Sequence, residues 1–131
     1  MRLNQASDFA LRILMLLAQR QEAQTVESVA GDLGLVKSHV MKIVAKLAQS
    51  GLVHSTRGRT GGINLGRQAD QITVGEVVRL IEPDFAVVEC MRDGESRCSF
   101  MPDCRLRGLM GQANRAFLET LDSKRLSDMV A

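Results

Sequence analysis

Two helical patterns separated by only three residues restrict the fold of this chain more than any other feature of its sequence. Thr25 is a good N-cap for a short helix that ends at Leu33, where Gly34 can adopt the backbone conformation that stops a helix. A second helix fits residues 37–50, and Gly51 is suited to end it. Two helices joined by so short a connection predict a helix-turn-helix.

A longer amphipathic segment precedes this pair. Its apolar residues recur at helical spacing and predict a first helix over about residues 4–20. The chain has 131 residues, 45% of them hydrophobic and 24% charged, which is typical of one globular domain and excludes a disordered or collagen-like chain. Because only 3% of the residues are aromatic, the core must be aliphatic, and binding of nucleic acid by stacking on aromatic side chains is disfavoured.

A β-hairpin is predicted directly after the helix-turn-helix. Residues 52–55 and 63–65 form its arms, and glycine and arginine dominate the tip between them. A helix-turn-helix followed by such a hairpin is a winged helix, so the expected fold is mostly α with a small β-hairpin wing. Thr73 and Glu76 then have the spacing of a capping box, which predicts a further helix through Ile81 that ends before Pro83.

The positive charge is concentrated in the same part of the sequence. The net charge of the chain is only +2, yet residues 33–69 contain no acidic residue. Such a block is typical of a localised nucleic-acid-binding surface; the alternative is a solvated helix with spare lysines. The basic residues of this block are Lys37, Lys42, Lys46, Arg57, Arg59 and Arg67.

Double-stranded DNA is the nucleic acid that this fold would bind. The early residues of the third helix should reach base edges in the major groove, and the wing arginines should enter a narrowed minor groove. The wing glycines would let the backbone lie close to phosphates. The candidate DNA-binding residues are Lys37, Ser38, His39 and Lys42 on the helix, and Arg57, Gly58, Arg59, Gly61 and Gly62 in the wing.

All three cysteines fall in a segment without regular periodicity, at residues 83–104. Cys90, Cys98 and Cys104 lack the paired knuckles of structural zinc sites and the C-x-x-C of thioredoxin-like sites. Three soft thiolates spread over a long loop suit an iron–sulfur cluster, and the nearby Arg92, Arg97 and Arg105 could offset its negative charge. Three incidental thiols, or a thiol- or zinc-dependent transcription factor, are the alternatives.

A long amphipathic helix is predicted after Pro102. Because a winged helix already has its own core, the apolar stripe of this helix predicts a homodimer and hence a near-palindromic DNA site; the alternative is that the helix folds back on its own domain. Ser123 is expected to cap a short terminal helix that reaches Val130. The predicted parts are a DNA-binding domain at 1–82, a cluster-binding loop at 83–104 and a dimerisation helix with its tail at 105–131.

Other classes of protein are disfavoured. The sequence contains no nucleophile–base pairing, phosphate-binding loop or paired carboxylates that would indicate an enzyme. The longest apolar stretch is too short to span a bilayer and lacks a signal-peptide pattern, so the expected location is the cytoplasm.

Several motifs together resemble the Rrf2 family of winged-helix regulators, and the resemblance covers nearly the whole chain. Within the family, residues 88–90 and 104–108 most resemble a branch of repressors that sense nitric oxide. A branch that responds to iron–sulfur status has a histidine three residues after the third cysteine, where this chain has Arg107. The motifs that carry the family resemblance are residues 1–4, 7–12, 51–53, 57–62 and 73–77.

The resemblance implies a homodimeric repressor of nitric oxide detoxification genes that carries an iron–sulfur cluster. The implied ligands are Cys90, Cys98 and Cys104, with Asp8 supplied by the partner subunit, and Arg12 would position that carboxylate or screen the cluster. An acidic residue in the first turn of a helix also has a purely structural explanation. The resemblance favours a 4Fe–4S over a 2Fe–2S cluster, which the spacing alone does not distinguish, and an iron–sulfur-status regulator is the alternative function.

Overall fold

The computed structural model describes residues 1–58 and 61–130. The predicted order of helix, helix-turn-helix, hairpin and further helices is confirmed. In chain order the elements are α1 (Gln5–Gln19), α2 (Val26–Leu33), α3 (Lys37–Gln49), β1 (Val53–Thr56), β2 (Gly62–Leu65), α4 (Val74–Ile81) and α5 (Arg105–Asp122), with short 3-10 helices at Ala69–Gln71, Glu89–Met91 and Leu126–Met129.

Polar side chains cap the starts of three helices. Oxygens of Asn4, Thr25 and Thr73 accept backbone N–H bonds in the first turns of α1, α2 and α4. These bonds satisfy N–H groups that a helix leaves without an internal partner. The predicted starts of α2 and α4 are therefore correct, and each has the expected physical cause.

One aliphatic core joins α1 to the helix-turn-helix and the hairpin. Helix α1 packs against α2, α3, α4 and β2. The two strands are antiparallel, with Val53 opposite Leu65 and Thr56 opposite Gly62. Ile63 is 2% exposed and fixes the base of the wing to the core. The largest fully buried side chains are those of Ile13, Leu14, Leu47, Leu52, Ile72 and Leu126.

The chain returns to this core after α5. The backbone N–H of Leu126 donates to the carbonyl of Ile72 at 2.8 Å, and the N–H of Val74 donates to the carbonyl of Lys124 at 2.9 Å. Ser123 caps the end of α5 rather than the start of a terminal helix, and a 3-10 helix begins only at Leu126. The prediction for Ser123 was wrong because burial of Leu126 bends the chain back immediately after α5.

Helix α5 lies partly on its own domain. Its second half shares an apolar cavity of about 500 Å³ with α4, and Asn114 donates a side-chain hydrogen bond to the carbonyl of Phe85. No residue of α5 is buried within the described chain. Leu106 and Leu109, in the first half, are 54% and 57% exposed. The apolar stripe is therefore only partly covered by the chain that carries it.

Candidate nucleic-acid interface and cysteine cavity

Helix α3 separates its core residues from its candidate DNA-binding residues. Val40, Ile43, Val44 and Leu47 are all buried, as the periodicity predicted. The four candidate residues Lys37, Ser38, His39 and Lys42 are exposed. The side chains nominated from the sequence thus stand on the surface, at the amino-terminal half of the second helix of the helix-turn-helix.

Lys37 already has an ionic partner. Its ammonium nitrogen lies 2.6 Å from a carboxylate oxygen of Glu27, which is in the first turn of α2. The hydrogen bond from Lys37 and its positive charge lower the pKa of Glu27 below the ordinary value. Glu27 therefore places a negative charge beside the candidate DNA surface, and no local sequence pattern indicates this pair because the two residues lie on different helices.

Arg67 is likewise paired in the structure. Its guanidinium lies 2.5 Å from the Glu76 carboxylate, and this hydrogen bond raises the pKa of Arg67. The Glu76 carboxylate thus accepts hydrogen bonds from Arg67. Of the two bonds of the predicted capping box, the one that forms is the bond from the Glu76 N–H to the hydroxyl oxygen of Thr73, at 3.1 Å. Arg67 belongs to a contact within the domain rather than to a set of unpaired surface cations.

The wing tip falls partly outside the described residues. Arg57 and Gly58 are exposed, whereas Arg59, a candidate minor-groove residue, lies outside the described part of the chain. Gly61 and Gly62 meet the chain's own backbone: a Cβ on Gly62 would lie 2.7 Å from the carbonyl oxygen of Gln24. The fold therefore requires glycine at these two positions, independently of any contact with DNA phosphates.

The three cysteines line one cavity. Cys90, Cys98 and Cys104 all border a space of about 750 Å³ between the cysteine segment and the start of α5. Among the described residues, no three metal-ligating side chains converge closely enough to hold a single metal ion. A soft donor set spread around so large a space suits a multi-atom iron–sulfur core better than one zinc ion.

Charged residues of both signs border this cavity. The arginines are Arg92 and Arg97, as anticipated from the sequence, together with Arg107 in place of Arg105. Three carboxylates, of Glu89, Asp93 and Glu95, also contribute to the wall. The cavity is thus of mixed charge rather than simply cationic.

Asp8 and Arg12 form an ion pair on α1. Two guanidinium nitrogens of Arg12 donate to the two carboxylate oxygens of Asp8, at 2.7 Å and 3.1 Å. Arg12 also lies over the ring of Phe9, 5.7 Å from its centre. Asp8 is not among the described residues that line the cysteine cavity of its own chain. Arg12 is therefore placed to orient the Asp8 carboxylate, about half of which is exposed.

Glu82 makes a connection that no motif in the sequence indicates. Its carboxylate accepts hydrogen bonds from the hydroxyl of Ser7 and from the backbone N–H of Asn4, the latter at 3.1 Å. Glu82 immediately follows α4 and precedes the cysteine segment. One side chain thus connects the first turn of the helix that carries Asp8 to the point where the cysteine segment begins.

The fold and this surface together define a class of protein. A helix-turn-helix with an exposed, lysine-bearing second helix, followed by a hairpin wing, is the architecture of a DNA-binding transcriptional regulator. No helix in the described part of the chain combines the length and apolar character needed to cross a membrane.

The chain belongs to the Rrf2 family, whose model, described as an iron-dependent transcriptional regulator, matches residues 3–131. It is 38% identical over 132 residues to the HTH-type transcriptional regulator NsrR of Bacillus subtilis, an alignment that covers 99% of this chain and 90% of that protein. Its structure is similar to that of CymR, the global cysteine regulator of B. subtilis, with a TM-score of 0.79, 30% identity and coverage of 98% and 95% of the two chains. It is also similar to IscR of T. potens, with a TM-score of 0.78 and 24% identity over 98% of this chain and 85% of that one, a likeness of fold alone.

These comparisons confirm three predictions. The family resemblance and the winged-helix fold are correct, and the relatives are transcriptional regulators rather than enzymes. The individual site residues stay predictions, as do the ligand set and the signal.

Proposed function

We propose that this protein is a homodimeric, DNA-binding repressor whose iron–sulfur cluster responds to nitric oxide and controls genes of nitric oxide detoxification. The observation that carries this proposal is the common cavity bordered by Cys90, Cys98 and Cys104 next to a winged-helix domain. The likeness to NsrR proteins over nearly the whole chain supports the choice of signal.

The DNA-binding half of the proposal rests on α3. Ser38, His39 and Lys42 are exposed there and can reach base edges or phosphates in the major groove, and Lys37 can do so once it leaves Glu27. Arg57, Gly58, Arg59, Gly61 and Gly62 would follow the adjacent backbone or minor groove. A dimer would present two such helices to a near-palindromic operator.

The regulatory half rests on the cysteine segment. Its three thiolates would hold the cluster and so fix the segment against the start of α5. When bound, an iron–sulfur cluster supplies iron sites that react with nitric oxide. Arg12 holds the Asp8 carboxylate in one orientation, which suits Asp8 of the partner subunit as a fourth, harder ligand.

Dimer formation would use the surfaces that α5 leaves uncovered. Phe100, Leu106 and Leu109 are each more than half exposed near the start of this helix, and a second copy of the chain would cover them. We assign residues 1–82 to DNA binding, 83–104 to the cluster and 105–131 to dimerisation. These parts are in contact, because Leu126 of the tail is buried in the core of the DNA-binding part and its N–H bonds to Ile72.

The test is anaerobic reconstitution of the full chain with iron and sulfide, followed by stepwise addition of nitric oxide. Visible absorption and a DNA mobility shift, at a stated salt concentration, are recorded at each step. We expect a coloured protein whose operator binding falls as its visible absorption is lost. Resonance Raman or Mössbauer spectra of the same sample distinguish 4Fe–4S from 2Fe–2S.

Matched variants within the cysteine segment make this test specific. Cys98→Ser should abolish the visible absorption and the response, whereas the adjacent Ser99→Ala should keep both. A colourless protein that binds zinc, or one whose DNA binding depends only on thiol oxidation, would contradict the cluster. A coloured protein indifferent to nitric oxide but responsive to iron supply would favour the iron–sulfur-status alternative.

A further inference from the structure

One long apolar side chain stands out on the exposed side of α3. Met41 is 54% exposed, although the buried apolar residues of the same helix are at most 7% exposed. The buried core stripe of this helix consists of Val40, Ile43, Val44 and Leu47, so Met41 is not part of the buried core of its own domain. A single exposed methionine is ordinary on a protein surface. The position of Met41 on the helix, however, indicates a function for it.

Met41 lies among the candidate DNA-binding residues. It follows Ser38 by three positions and Lys37 by four, and side chains at these spacings are neighbours on a helix surface. Ala45, one turn further along, is exposed and small, so it leaves room on that side. The polar and charged side chains that could read hydrogen-bonding groups of bases therefore surround one apolar side chain that cannot.

The surrounding charge indicates DNA rather than protein as the partner of this side chain. Residues 33–69 contain six basic and no acidic residues, and Glu27 is the one carboxylate among the described residues within salt-bridge distance of α3. A polyanion complements such a surface. In the major groove of DNA, the apolar group offered to a protein is the C5-methyl group of thymine.

We propose that Met41 is a specificity-determining residue that contacts the C5-methyl group of a thymine in each operator half-site. This inference rests on the proposed DNA-binding function, since it requires α3 to lie in the major groove. The flexible thioether side chain of methionine suits such a contact because it can adjust to the position of the methyl group. Removing one buried methyl group should weaken binding about fourfold.

The test replaces thymine by deoxyuridine, which lacks only the C5-methyl group. The reconstituted full chain first selects an operator from a random duplex pool. Each thymine of one half-site is then replaced in turn. At one position the parent protein should bind the deoxyuridine duplex about fourfold more weakly, whereas Met41→Ala should bind the two duplexes equally.

Controls separate this contact from general effects on affinity. Lys46→Gln, an exposed change on the same helix, should weaken binding to both duplexes and leave their ratio at the parent value. The inference is overturned if the parent tolerates deoxyuridine at every position, or if Met41→Ala keeps the parent ratio. If no duplex is selected in any form of the protein, the proposed DNA-binding function itself fails.

Discussion

The hydroxyl of Ser7, which is completely buried, donates a hydrogen bond to the carboxylate of Glu82. The two residues are 75 positions apart, at the first turn of α1 and directly after α4. The same carboxylate accepts from the backbone N–H of Asn4, whose side chain in turn accepts from the N–H of Ser7 at 2.7 Å. The start of α1 is thus fixed to the residue that directly precedes the cysteine segment.

Replacing Glu82 should therefore destabilise the protein. Glu82→Ala leaves the buried Ser7 hydroxyl without its acceptor, which costs about 1–3 kcal/mol. Urea unfolding measures the loss. Glu95→Ala, a change in the exposed part of the cysteine segment, is the control and should alter the free energy of unfolding by less than about 0.5 kcal/mol. Equal stabilities of the two variants would show that the bond between Ser7 and Glu82 contributes nothing.

The pair of Lys37 and Glu27 should have a measurable pH signature. Because the hydrogen bond and charge of Lys37 lower the pKa of Glu27, the contribution of the pair to stability is complete above the ordinary value of 4.5 and is lost as the pH falls through the lowered pKa. An NMR titration of the Glu27 carboxyl carbon should give a pKa below 4.5 in the parent and near 4.5 in Lys37→Gln. Lys42→Gln should leave the titration of Glu27 unchanged, and a parent pKa at or above 4.5 would exclude the pair in solution.

Glu27 should also restrain DNA binding. In the structure its carboxylate pairs with the ammonium group of Lys37, which a DNA phosphate or base would otherwise bind. Since an exposed ion pair is weak, Glu27→Gln should tighten operator binding by at most about fivefold at low salt. The gain should shrink as salt is raised, because exposed charges are screened. Glu119→Gln, the same change of charge on α5, serves as the control; weaker binding by Glu27→Gln would mean that the carboxylate positions Lys37 for DNA.

The sequence predicted those parts of the fold that depend on local rules. Caps at Thr25 and Thr73, the stop at Gly34 and the helical spacing of core residues each act over a few positions, and each is confirmed. The return of Leu126 to the core was missed because only the three-dimensional arrangement of Ile72 and its neighbours creates the space that it fills.

In the candidate site, too, the sequence predicted what depends on local spacing and not what depends on contacts between different elements. That Lys37, Ser38, His39 and Lys42 are exposed follows from the period of α3 and could be anticipated. The partners of Lys37 and Arg67, and the link through Glu82, join residues on different elements. No pattern along the chain reports such pairings, because many surface side chains of suitable charge compete for each of them.

Two glycines should respond in opposite ways to alanine. In Gly62→Ala the new Cβ would lie 2.7 Å from the Gln24 carbonyl oxygen, so one of two paired backbone segments must move. Gly31, on the exposed side of α2, has nothing within 4 Å of its Cβ position and an ordinary helical backbone. The free energy of unfolding, measured by thermal unfolding, should therefore be lower than that of the parent in Gly62→Ala. In Gly31→Ala it should be higher by about 0.5–1 kcal/mol. A stabilised Gly62→Ala would mean that the wing does not pack on residue 24 in solution.

Val36 should trade stability against DNA binding. It is the N-cap of α3, yet valine offers no side-chain hydrogen bond there, and it is 59% exposed. Val36→Thr keeps the shape of the side chain and supplies a cap, so the free energy of unfolding should rise by about 0.5–1 kcal/mol.

If the start of α3 enters the major groove, the hydroxyl of Val36→Thr places a polar group where an apolar one lay. The affinity of the protein for its operator should then fall, or its sequence preference should change. Thr25→Ala, which removes the equivalent cap from α2, should instead lower the free energy of unfolding by about 1 kcal/mol. A Val36→Thr protein that is more stable and selects the same operator with undiminished affinity would show that this residue does not face DNA.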